Sequence, residues 1–245
     1  MYPNESNVHH IQRHPDYYIN GGDLYFLVDH YQFRVHRYFF ERESAFFRGK
    51  LTVPAAPGAN RLGTDVSSAI VLDGVKSNAF AKFLWVFYNP KFSIYTAPVD
   101  DWADILTLAH RWGFPEVKAL CIRELEQLFM SDIDRIVLYQ DHDVDRHLLL
   151  PQYAALCERE QPINLHEGLR LGLETTIMLA RARECARAPL NNGLRSPSSA
   201  NIDQSEIHAI IRDLFGLKAS LPSPPNQDAT NGVNGIHAGG WVTIS

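Results

Sequence analysis

The sharpest chemical candidate in the 245-residue chain is the run Asp141-His142-Asp143-Val144-Asp145-Arg146-His147. Aspartates on alternate positions reproduce the first ligands of a calcium loop, because a hard cation collects carboxylate oxygens at that spacing. The rest of the loop is missing: its sixth position needs glycine and is Arg146, and its twelfth needs a bidentate glutamate and is Gln152. His142 and His147 stand five residues apart and share no helical face, which argues against a zinc pair. Cys121, Cys157 and Cys185 are scattered, odd in number and without CxxC spacing. They are expected to be small core groups, not nucleophiles or a disulfide framework. No Gly-x-Ser-x-Gly elbow, no glycine-rich loop ahead of Lys-Ser and no G-x-G-x-x-G after a strand occurs. The expectation is therefore no catalytic residue, no metal and no cofactor. A hydrolase built on a dyad among the 11 histidines is the alternative left open.

Composition narrows the partners. The formal charge is −5, and the 23 Lys and Arg are spread along the chain without forming a stripe, so nucleic acid is not an expected partner. No run approaches the roughly 18 apolar residues of a membrane helix. The first twenty residues also lack a basic start followed by an apolar run, so no secretory signal is visible. The expected setting is intracellular, cytoplasm or nucleus, with no membrane partner.

The elements that must position any site follow from periodicity. Residues 1–20 show no usable period and are expected to be a flexible arm. Two β-rich runs, 24–28 and 32–35, flank Asp29, His30 and Tyr31 at hairpin spacing, and the first is apolar enough to be covered on both faces. Alternation then stops, and Phe39, Phe40, Phe46, Phe47 and Leu51 fall where two short helices would gather them, with Ser44 capping or bending the second. His36, at the corner, is expected to satisfy a backbone group while most of the aromatics fill the core. Residues 52–68 read as a long surface loop and 69–74 as another buried strand.

Helical faces follow. Phe80, Phe83, Leu84 and Phe87 mark one helix; Val99, Trp102, Ile105, Leu106, Ala109 and Trp112 mark the next, with Gly113 past its end and Pro115 opening its successor. That successor is expected to turn Val117, Leu120, Cys121, Leu125, Leu128 and Phe129 inward. Ser131 and Asp134 resemble a capping box opening a helical extension over 131–188. It contains a helix over 148–157, a break at Pro162 and a longer helix over 167–187 striped by Leu169, Leu173, Ile177 and Ala180. A linker over 189–201, an amphipathic helix over 202–217 and a disordered tail over 218–245 complete the expected layout.

The segment DLYFLVDHYQFRVHRYFFERESAFF, residues 23–47, resembles the signature of the BTB (POZ) domain. Such a signature has an acidic residue opening a buried strand, a short hairpin, Phe-x-x-His-Arg/Lys at the corner, then an apolar pair and Ser-x-x-Phe. Asp23, Phe33, His36, Arg37, Ser44 and Phe47 match in register. The resemblance implies an α+β fold over residues 21–130, a small sheet flanked by helices, followed by an all-α extension similar to that of many BTB proteins of mushroom-forming fungi. It further implies an interaction module without catalytic activity, a homodimeric scaffold or adaptor. Asp23, Leu24, Arg37, Tyr38, Phe39, Phe40 and Phe46 would then lie at the dimer interface or its groove, while Phe33, His36, Ser44 and Phe47 hold the motif together. A cullin is a further implied partner. Cullin adaptors of this kind carry an apolar-x-Glu motif, however, where this chain has Leu51-Thr52-Val53, and no substrate-recruiting repeat domain is recognisable. No zinc-finger spacing supports the transcription-repressor branch.

Overall fold

The computed structural model describes residues 11–54, 57–58, 60–91, 94–187 and 204–217. The first ten residues of the expected arm, the linker and the tail lie outside the described residues. The remainder of that arm is a correction. Strand β1 (Gln12–Tyr18) pairs parallel to β3, with Gln12 N–H donating to His30 O at 2.8 Å and Ile19 N–H to Arg34 O at 2.8 Å. As an edge strand it tolerates Pro15, which removes one ladder donor, and the His14 ring stacks on Phe33 at 4.5 Å.

The hairpin of β2 (Leu24–Val28) and β3 (Tyr31–Val35) sets the register of the core. Leu24 opposes Val35 and Phe26 opposes Phe33, so Leu24, Phe26, Val28, Phe33 and Val35 all point to one face and are fully buried. Asp29 turns the chain at φ +52, a conformation that aspartate tolerates. The sheet order is β1-β3-β2-β4. Strand β4 is only Ile70–Val71, and Val71 is exposed, so the expected buried strand is instead a short edge. The preceding loop is pinned: Tyr25 N–H donates to Gly63 O, Arg37 to Leu62 O and Arg61 to Leu51 O. Gly63 sits at φ +72, where an added Cβ would lie 2.6 Å from a Leu24 methyl.

Helices α1 (Arg37–Glu43) and α2 (Ala45–Leu51) follow the hairpin directly, as read from the sequence. Phe40 and Phe47 close on Phe26 at 5.0 and 5.9 Å, in the tilted and edge-to-face contacts aromatic quadrupoles favour. Ser44 joins the two helices. It is fully buried, its hydroxyl accepts from Phe47 N–H at 3.0 Å and donates to Trp112 O at 2.6 Å. Helices α3 (Ser77–Tyr88), α4 (Val99–Arg111) and α5 (Pro115–Glu126) cover this core with Phe80, Phe83, Trp102, Trp112 and Phe114. Because α5 ends at Glu126, its inward period does not carry on, and Phe129 is 95% exposed instead of buried.

The extension comprises α6 (Asp132–Asp141), a 3-10 turn (Arg146–Leu149), α7 (Leu150–Glu158), α8 (Leu165–Leu171), α9 (Leu173–Arg187) and α10 (Gln204–Leu214). Arg135 welds it to the preceding domain: buried, it donates to the Leu125 and Leu128 carbonyls and pairs with Glu126 at 2.9 Å. Both carbonyls lie at the α5 terminus, where a guanidinium adds donors that the helix end does not supply. Arg183 does the same for α7, donating to the carbonyls of Leu156, Cys157, Arg159 and Glu160. Helix α10 folds back on α7 and α9, burying Ile207 and Ile211, and Phe215 just beyond it stacks on Tyr153 at 4.4 Å.

Two expectations fail here. The long helix over 167–187 breaks at Gly172, φ +80, into α8 and α9. The stripe Leu169, Leu173, Ile177 and Ala180 faces solvent, and the buried face of α9 is Thr175, Leu179, Ala182, Arg183 and Ala186. Of the thiols, Cys121 and Cys157 are buried, which pushes them up to about 12 and about 11, whereas Cys185 is exposed.

Two joints can be tested. Ser44→Ala removes a cap and strands a buried carbonyl, so unfolding in urea should show a loss of about 2 kcal/mol. At α8, Asn164 and Glu167 form a capping box, and Arg159 donates twice to the Glu167 carboxylate. The Arg159 bonds, chiefly, hold its pKa down to about 2. A folded pKa below the unfolded value gives stability present above the ordinary carboxylate pKa and lost as pH falls through about 2. Glu167→Gln should cost on the order of 1 kcal/mol at pH 7, after solvent screening, and a difference that shrinks toward pH 2. Paired urea titrations at both pH values measure it.

Candidate interaction surface

The corner at which strand becomes helix brings the motif residues together. Strand β3 ends at Val35, His36 is the residue before α1, and its own side chain makes no cap. Asp23, the residue just before β2, supplies that function, accepting Arg37 N–H at 2.8 Å. His36 does not bond a backbone group as expected. Its N–H donates to the Tyr88 hydroxyl at 2.9 Å, and its Nδ1 lies 3.0 Å from the same oxygen, so one phenol serves both groups. Burial raises the Tyr88 pKa and keeps the proton on the hydroxyl that faces Nδ1.

Asp23 and Arg37 do not pair through their side chains. The Arg37 guanidinium lies buried beneath the 61–63 segment, donating to Leu62 O at 2.9 Å and standing 3.7 Å from Glu41, while Asp23 stays at the surface. Leu24 and Phe40, expected at an interface, have no exposed surface and belong to the core of the protomer.

What remains outside is an aromatic face on α1 and α2. Tyr38 is 59% exposed, Phe46 is 41% exposed and Phe39 is half-buried, stacked on Phe87 at 5.2 Å. Cations cover these rings: Arg42 sits 4.8 Å above Tyr38 and donates to its hydroxyl at 2.8 Å, and Lys50 sits 4.5 Å above Phe46. Arg48 reaches back from α2 to the Glu41 and Arg42 carbonyls, fixing the angle between the two helices. Arg42 and Lys50 were not singled out from the sequence, although each stands four residues after its ring, the spacing that places side chains together on a helix. Tyr88 was also missed, and no local signal marks it, since it acts on a residue 52 positions away.

The candidate ligand run at 141–147 is absorbed by helix packing. His142 Nδ1 lies 2.7 Å from Leu138 O and its Nε2 2.9 Å from the Thr107 hydroxyl, while Lys118 donates to the His142 and Asp143 carbonyls. A cleft of about 400 Å³ lies between β1 and the α3–α4 connection, where Trp85 and Ile94 line it and Lys82 is held by Asp101 at 2.7 Å. Its described lining residues include no histidine. No helix among the described residues is long and apolar enough to cross a membrane.

No curated protein matches the chain. Residues 20–128 match the family model of the BTB/POZ domain, the same span in which the hairpin, the His36 corner and the five covering helices lie. The chain thus carries a BTB/POZ domain, a small mixed sheet flanked by helices, continued by a mostly helical C-terminal region.

Proposed function

We propose that the protein is a homodimeric scaffold or adaptor, binding other proteins and catalysing nothing, with the Tyr38-Phe39-Phe46 face as the surface where two copies meet. BTB domains are protein–protein interaction modules. The observation that carries the finer reading is the exposure of Tyr38 and Phe46, each under a cation, on two rigidly joined helices. Exposed aromatics beside Arg are the residue types that dominate interface energetics, and a patch that repeats on both copies suits the self-complementary contact a two-fold axis requires. Free cysteines at 121, 157 and 185 suit a reducing compartment, cytoplasm or nucleus. A cullin contact is the second reading. It draws on the Arg135 weld, which joins the extension to the BTB domain and so lengthens any surface offered to a partner, against Leu51-Thr52-Val53, which has no glutamate where the apolar-x-Glu motif would end.

Light scattering coupled to size exclusion tests the reading. At tens of micromolar the protein is expected to run above its chain mass, and Tyr38→Ser with Phe46→Ser to lower the mass per particle with unchanged circular dichroism. A wild-type monomer, or a variant of unaltered mass, would sink it.

A further inference from the structure

After Phe129, the most exposed large apolar side chains among the described residues lie on the extension and not at the BTB corner. Leu165 is 81% exposed, Leu173 77% and Leu169 75%, with Ile177 at 48%, all at four-residue intervals across α8 and α9. Leu165 and Leu169 lie on α8 and Leu173 and Ile177 on α9, on either side of the Gly172 break. Nothing in the fold explains their exposure, because α9 already packs its other face, Leu179, Ala182 and Ala186, against α7 and α10.

The outward face of α9 is self-complementary. Leu173, Glu174, Ile177, Ala180 and Arg181 are all exposed and, at i, i+1, i+4, i+7 and i+8, share one side of the helix. Laid antiparallel on a copy of itself with Ile177 at the centre, this side places Ile177 against Ile177 and the small Ala180 near the axis. Glu174 of each protomer then faces Ala180 of the other and lies one residue, about 1.5 Å of helix rise, from that protomer's Arg181. Both charges are available: Glu174 is 69% exposed with only a loose 3.7 Å contact to Arg146, and Arg181 is exposed. Charges of opposite sign three residues before and four residues after an apolar centre come within reach of each other in an isologous contact.

We infer that a second copy of this chain docks on the α8–α9 ridge through an antiparallel pairing of α9 about Ile177. This contact is separate from the corner face proposed above. The ridge thus joins the corner dimers of the proposed function, on which this step rests, into larger assemblies.

Light scattering of the full chain at tens of micromolar decides the matter when four proteins are compared: wild type, a corner variant (Tyr38→Ser, Phe46→Ser), a ridge variant (Leu173→Ser, Ile177→Ser) and the combination. The ridge substitutions lie on exposed positions, and circular dichroism checks that the fold survives. The expected result is a ridge variant of at most half the wild-type mass per particle and a monomeric combination. If the ridge variant is monomeric while the corner variant matches wild type, the ridge stands and the corner reading falls. If the ridge variant keeps the wild-type mass, the inference is overturned, and the ridge belongs to a different protein or to residues 218–245 of the same chain. A second readout places the axis: with Cys185→Ser leaving only the buried Cys121 and Cys157, Ile177→Cys should form a disulfide-linked dimer under copper–phenanthroline oxidation. A cysteine that stays uncrosslinked would contradict the Ile177-centred pairing.

Discussion

Helices of seven residues do not hold themselves together in water, where fewer than about 12 to 15 residues give marginal helicity. Helices α1 and α2 are each that short. They exist because Phe40 and Phe47 are buried against Phe26 and because the Ser44 hydroxyl ties their joint to Trp112 O. That constraint dictates the surface as well. With successive side chains about 100° apart, anchoring Phe40 inward turns Tyr38 away from the core, and anchoring Phe47 turns Phe46 outward. The aromatic face is thus a geometric consequence of the same anchors that make the corner fold. Its cations, Arg42 and Lys50, stand where the helix repeat places them.

Much of this was legible in the sequence, for identifiable reasons. The hairpin showed because two β-rich runs flank a three-residue turn, a local signal, and Phe26 and Phe33 land opposite each other across it. The corner at His36 showed because strand and helix periods meet there. Strand β1 did not, since it pairs with β3 from one exposed edge and carries no alternation of its own. The partner of His36 was hidden by distance along the chain, and a period alone misled at α9. Leu169, Leu173 and Ile177 mark a face, but a period says nothing of what covers it. The core instead took Thr175, Ala182 and Arg183, residues of weaker hydrophobicity. Arg183 was selected there for its donors, which close the α7 terminus.

The extension shows the same economy of means. Arg135 and Arg183, both more than nine-tenths buried, each gather several carbonyls at a helix end. Burying a guanidinium is costly unless its donors are satisfied, and both are surrounded by backbone acceptors. The result is a helical body tied to the BTB domain by Arg135 at the α5–α6 joint.

The claim at the centre of this account is that burying Phe40 and Phe47 forces an aromatic face outward and that a second copy covers it. Hydroxyl-radical footprinting of the protein at nanomolar and at tens of micromolar concentration reads that face directly. The account predicts that labelling of Tyr38 and Phe46 drops on concentration while Val53 and Ile94, each at least as exposed, are labelled as before. Labelling of Tyr38 and Phe46 that is independent of concentration would contradict it.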